Sequence, residues 1–175
     1  GINPHPGTPA NAATAALDLQ TGGGEVLAGA RGHAPLTVAT EAWPPNLTAA
    51  ARTLRPHGVH VVAADDAPNL PFAGGVFDLV VSRHPVTTWW EEIARVLRPG
   101  GTYFSQQVGP ASVFELVEHF LGPQPEEVRR RRLPSQARAA AEAAGLEVVD
   151  LRSEALRTEF FDVGAVVYFL RKVVW

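Results

Sequence analysis

Short apolar runs alternate with helix-patterned segments along most of this 175-residue chain. That alternation constrains the fold more than any other feature, because it is the signature of a parallel sheet crossed by helices. The runs read as strands over 15–19, 36–40, 59–63, 77–82, 102–108 and 146–151. Gly22-Gly23-Gly24 follows the first run and opens a short helix to about Arg31. Pro44-Pro45 suits the first turn of the next helix, which ends before Pro56 and Gly58. Thr88 with Glu91, and Ser112 with Glu115, have capping-box spacing and predict two further helix starts. Pro99-Gly100-Gly101 reads as the stop of the first of these helices, and Gly122-Pro123 as the stop of the second. An Ala-rich helix is expected over 135–144, closed by Gly145. After Asp162, apolar residues recur at helical spacing, although the β-branched content also allows a strand.

No repeat or low-complexity linker divides the chain, so its length predicts one domain, preceded by an arm over 1–13 that holds Pro4, Pro6 and Pro9. The absence of Cys excludes thiolate metal sites, disulfides and cysteine nucleophiles, and it fits a reducing, cytoplasmic setting. A formal charge of −3 leaves no basic footprint for nucleic acid. The longest apolar stretch, 163–170, is too short to span a bilayer, and no signal-peptide pattern opens the chain. The six His show no His-x-x-x-His spacing, so no metal site is expected. There is no Met, which predicts that the chain is part of a longer gene product.

The chemistry begins at Asp18-Leu-Gln-Thr-Gly22-Gly-Gly24. Glycines at a strand-to-helix turn let backbone approach a ligand and accept positive φ. Glu41 ends the second run nineteen residues after Gly22, where an acid can hold a ribose diol. Asp66 follows the third run and begins Asp66-Ala-Pro-Asn-Leu-Pro-Phe72. Phe77-Asp78-Leu-Val-Val and Arg95-Val-Leu-Arg-Pro-Gly-Gly101 complete the series. Asp78, inside a strand, reads as structural.

In this order, over about residues 14–152, these motifs resemble the class I S-adenosylmethionine-dependent methyltransferases, in the branch that includes quinone-biosynthesis and other small-molecule enzymes. The resemblance implies a Rossmann-like, doubly wound, mostly parallel sheet with helices on both faces. It implies S-adenosylmethionine as cofactor, S-adenosylhomocysteine as product and a small-molecule methyl acceptor. Asp18, Gly22 and Gly24 would line the methionine part. Glu41 would hold the ribose, and Ala42 and Trp43 would lie along the adenine. Asp66 would accept from the adenine amino group, with the Ala67 amide beside the ring. Ser82 and Arg83 would border the methionine and sulfonium.

Two departures stand out. Gln20 occupies a position where the family usually has glycine, so its side chain would narrow the cofactor slot or hydrogen-bond the methionine carboxylate. The family's seventh, antiparallel strand has no counterpart before Trp175. The apolar stripe after Asp162 is therefore expected to bury itself on downstream residues, with a homodimer contact or the sheet edge as alternatives.

His84 follows the fourth run and is a candidate general base; the alternative is an ordinary loop histidine. Trp89 and Trp90 are candidate pocket walls, with at least one of them expected in the core. The arginine run 129–132 reads as a solvated face. The lack of Asn-Pro-Pro-Tyr argues against methylation of DNA bases. A degenerate cofactor-binding protein of the same fold is the alternative to an enzyme. A nicotinamide-dependent oxidoreductase fits poorly, because Gly-x-Gly-x-x-Gly is absent.

Overall fold

A computed structural model of the chain describes residues 13–172; the predicted arm, but for its last residue, lies outside them. Strands β1 (Ala15–Leu19), β2 (Leu36–Glu41), β3 (His60–Ala63), β4 (Phe77–Arg83) and β5 (Leu97–Gln106) form one sheet in the order β3-β2-β1-β4-β5. Every pairing is parallel, with Leu17 opposite both Val38 and Val80. The chain steps outward from β1 through β2 to β3, then returns to β1's other side for β4 and β5. The order therefore reverses between β1 and β4, and ligands of such sheets bind beyond the strand ends at that reversal.

Helices α1 (Glu25–Ala28), α2 (Pro44–Leu54) and α3 (Trp90–Val96) supply the crossovers. Adjacent strand residues point to opposite faces, and the core divides accordingly. Val38 joins Leu17, Val80, Ile93 and Val96 beneath α3, while Ala39 joins Ala50, Leu54 and Val59 beneath α2. Gly24 is required by this packing: its φ is +83°, and a Cβ there would meet Leu54 Cγ at 2.8 Å.

The β3–β4 connection carries no helix. Its carbonyls are gripped instead by Arg95 of α3, which donates to Phe72 O at 2.7 Å and Leu70 O at 3.1 Å. Glu92 accepts from Leu70 N at 2.7 Å and pairs with the same guanidinium at 2.7 Å. Asp78 fastens the start of β1, accepting from Thr14 N at 2.8 Å, Thr14 Oγ1 at 2.8 Å and Ala15 N at 3.1 Å. Arg98 closes the cluster at 2.6 Å from Asp78. Burial alone would raise the Asp78 carboxyl, but these hydrogen bonds and Arg98 bring it below its ordinary range. The structural reading of Asp78 agrees with this role.

Helices α4 (Phe114–Leu121), α5 (Glu126–Arg129), α6 (Pro134–Ala143) and α7 (Val163–Lys172) follow β5. Several expectations need correction here. No strand forms over 146–151; only Leu146 reaches the core, Val149 is exposed, and no described strand runs alongside to complete a ladder. Strand β5 begins at Leu97, five residues before its predicted start. The Pro99-Gly100-Gly101 segment is absorbed as an irregularity between the Phe77–Leu97 and Leu79–Thr102 pairs. Neither capping box closes: α3 and α4 start after Trp89 and Val113, without side-chain caps. The tail is helical, as its spacing allows, yet Val163 and Tyr168 remain mostly exposed. The arginine run opens with the last residue of α5, where Arg129 pairs with Glu118 and Arg130 with Glu126.

Candidate functional site

The C-terminal ends of β1, β2 and β3 bring together most of the residues singled out in the sequence. Glu41, the last residue of β2, is buried, and three backbone donors take up most of its carboxylate's accepting capacity. Oε2 accepts from Gly22 N at 2.8 Å, and Oε1 accepts from Ala42 N at 3.0 Å and Trp43 N at 2.9 Å. A glycine turn at φ +65° for Gly22 aims its N–H at that acid, and Thr21 N is tied to Thr40 O at 2.9 Å. The turn and the acid thus fix each other in place, with remaining carboxylate lone pairs available to hydroxyl donors. Trp43 presents a half-exposed ring beside them, at 57% exposure.

Asp18 ends deep under the turn. Burial pushes its carboxyl up to about 6, and the nearby Thr21 hydroxyl holds the rise back. That hydroxyl is itself buried and makes no well-formed hydrogen bond. Among the described residues no cation pairs with Asp18. Beneath the turn the chain therefore leaves a carboxyl and a hydroxyl under-used.

The loops that follow β3 and β4 meet at Gln20. Asp66 Oδ1 accepts from the Trp89 indole at 2.9 Å and lies 3.4 Å from Gln20 Nε2. The Ala67 amide is engaged by Asp65 O at 2.8 Å. Gln20 holds a left-handed backbone, φ 57°, a conformation that costs a non-glycine residue about 1 kcal/mol. Its carboxamide runs across to Val86 and Thr87. The Gln20 carboxamide therefore lies between the loops that follow β1 and β4.

Ser82 and Arg83 do not join this cluster through their side chains. The Ser82 hydroxyl is buried against Tyr103 Oη at 2.7 Å, and Arg83 Nε donates to Gln106 at 3.2 Å. Burial raises the Tyr103 phenol, opposed by Ser82, Ser105, Gln107 and Thr88, so it stays a proton donor. Sequence reasoning missed Tyr103; its place opposite Val80, on the face that carries Ser82, was the available signal. His84 is exposed at φ 51°, with its amide on Gln106 O at 2.7 Å. Partial desolvation of the ring, with the charge of Arg83, lowers its pKa, which favours the neutral imidazole. Trp90 packs edge-on to Tyr103 at 5.7 Å, and neither Trp89 nor Trp90 enters the core.

Residues 17–105, just over half of the chain, match the family model described as a methyltransferase domain. The chain belongs to that family. Comparison with solved structures agrees with the sheet order of this methyltransferase domain. A chain in the complex containing the Haloferax volcanii Trm112 methyltransferase activator is 25% identical, with a TM-score of 0.63 over 78% of this chain and 62% of that one. The cyclase SpnF is 25% identical, with a TM-score of 0.61 over 78% and 52%. The YcgJ protein from Bacillus subtilis is 21% identical, with a TM-score of 0.58 over 75% and 61%. The methyltransferase domain described here thus spans less than two thirds of each of these chains. Comparison with curated proteins gives no significant sequence match. Among the described residues no helix is long and apolar enough to cross a membrane, and no cluster of His, Asp and Glu could hold a metal ion.

Proposed function

We propose that this methyltransferase domain binds S-adenosylmethionine beyond the ends of β1, β2 and β3 and transfers its methyl group to a small-molecule acceptor. The observation that carries the reading is the Glu41 carboxylate, held by three backbone N–H groups beside a glycine turn. A buried acid fixed in this way is a pre-oriented acceptor for a ribose diol. Trp43 offers a face for a purine ring. Asp18, buried with no cation beside it among the described residues, complements the positive charge of such a ligand. The adenosine half of the cofactor fits these residues, whereas at the amino-acid half the Gln20 carboxamide lies across the way.

When bound, the cofactor supplies an activated methyl group on a cationic sulfur. The chain's own work is then to hold, align and exclude water. Glu41 and the 22–24 turn hold. The loop after β4 bounds the acceptor side, where His84, kept neutral, can take a proton from an acceptor that must lose one. A second reading, a cofactor-binding protein without catalysis, is favoured by Gln20 and by the lack of an antiparallel strand among the described residues. The fold alone does not decide between them, because one fold hosts unrelated functions.

Calorimetry with S-adenosylhomocysteine and turnover assays on Glu41→Ala and His84→Ala test the reading together. Glu41→Ala should weaken binding by about 1–3 kcal/mol, the loss of charge-assisted hydrogen bonds. His84→Ala should lower turnover and leave affinity within about twofold, or ~0.4 kcal/mol. Unchanged affinity in Glu41→Ala with the fold intact removes Glu41 from the site. Binding without methyl transfer to any acceptor fraction favours the second reading.

A further inference from the structure

Three loops converge at Gln20, those that follow β1, β3 and β4. Its carboxamide engages the loop after β4 with both ends: Oε1 accepts from Val86 N at 2.7 Å, and Nε2 donates to Thr87 O at 2.9 Å. Two opposed hydrogen bonds on adjacent backbone groups hold an amide in one orientation, which a single bond would not. Nε2 also approaches Asp66, which is fixed in turn by the Trp89 indole. The clasp spans the crevice between the ends of β1 and β4, where the strand order reverses. Both of its flanks are left-handed, at Gln20 (φ 57°) and at His84 (φ 51°). Strained non-glycine backbone persists where surrounding contacts over-determine it, and it concentrates at clamps and switches. A glycine at position 20 would relieve that strain but could not form the clasp.

We propose that Gln20 is a latch across the switch-point crevice: clasped to Val86 and Thr87, it closes the amino-acid end of the cofactor groove, and ligand entry swings it away and releases the 84–89 loop. The inference rests on the cofactor reading above. Its mechanical consequence is an order of events. The loop that bounds the acceptor side, including His84 and Trp89, is held while the groove is closed. It is released when the cofactor's amino-acid end takes the space of the carboxamide. Coupling of this kind is reciprocal, so an acceptor that draws the loop away also favours cofactor binding. Closure lowers the apparent affinity by the fraction of chains that are open.

The test uses the whole chain, with calorimetric titration of S-adenosylhomocysteine and hydrogen exchange at the Val86 amide. Gln20→Gly removes the carboxamide and the backbone strain; Gln20→Ala removes only the carboxamide. In both variants the Val86 amide should exchange about tenfold faster, and the ligand should bind about tenfold tighter, as expected for a mostly closed latch. Saturating ligand should speed Val86 exchange in the unaltered chain towards the rate of the variants. Equal or weaker binding by the variants overturns the latch and leaves the cofactor reading standing. A Val86 amide that stays protected in the liganded chain does the same. If neither the unaltered chain nor the variants bind, the cofactor reading falls and takes the latch with it.

Discussion

The sheet region, residues 15–106, and the helical region that follows are built on different terms. In the first, the buried members of both core clusters all lie between Ala15 and Leu97. In the second, only Val117 and Ala141 are buried among the described residues, while Phe120, Leu121, Val149, Leu156, Phe161 and Val163 are exposed. Polar contacts divide in the same way. Asp78, Glu92 and Arg95 reach backbone across 22 or more residues of sequence. Arg130 and Arg138 pair with Glu126 and Glu142 one helical turn away. Local pairs of exposed residues shape a helix but contribute little to holding it against a domain. The site accordingly draws on the first region alone.

Asp78→Ala should strike this contrast hardest. It strips a buried carboxylate from two backbone amides, a hydroxyl and Arg98, leaving the guanidinium without its acid. Arg98 is 46% exposed, so the loss comes mainly from the hydrogen bonds to the carboxylate, about 2–3 kcal/mol. Urea denaturation should show a shift of that size; a shift below 1 kcal/mol would mean that the start of β1 needs no such anchor.

Asp18→Asn should move stability the other way, and only at high pH. The carboxyl ordinarily titrates at 3.8 and is raised to about 6 in the fold. Its contribution is therefore undiminished below pH 3.8 and is lost as the pH rises through about 6. At pH 8 the substitution should stabilise the protein by roughly 1–3 kcal/mol, and at pH 4 by almost nothing. Denaturation midpoints at the two pH values check the sign. Equal effects at both would show that Asp18 is not desolvated by the fold.

Glu126→Ala marks the small end of the scale. Its partner Arg130 is 70% exposed and Glu126 68% exposed at the side chain. The expected change is below about 0.5 kcal/mol by the same urea measurement. A larger loss would mean that the helical region is tied to the sheet more firmly than its burial indicates.

How much of this was legible follows the same division. The boundaries of β1 to β4 could be read closely because each apolar run is bounded by turn residues, and β1, β2 and β4 are central strands with a buried apolar side. The start of β5 could not, since Pro99-Gly100-Gly101 reads as a helix stop while Asp78 and Arg98 hold it in the sheet. The pattern over 146–151 is that of a strand, but pattern alone supplies no pairing partner. At the site, the placing of Glu41 beside Gly22 follows from spacing. The reach of Gln20 to Val86 does not, because it depends on a left-handed backbone at residue 20, which spacing does not encode. Asp66 was legible as a strand-end acid, yet its bond to Trp89 required knowing which way the indole turns.

The position of β1 at the middle of the sheet has a consequence for how the chain is made. Its two edges become useful at different times. Leu36–Glu41 is synthesised soon after β1 and can occupy one edge at once. The other edge waits for Phe77–Arg83, and the Asp78 that secures Thr14 is made 64 residues after it. Until then a strand of Ala-Ala-Leu-Asp-Leu has one unfilled hydrogen-bonding side, the kind of surface that pairs with other nascent chains. Asp18, which carries its charge in an unfolded segment, opposes such pairing during the interval in which its final neighbour does not yet exist.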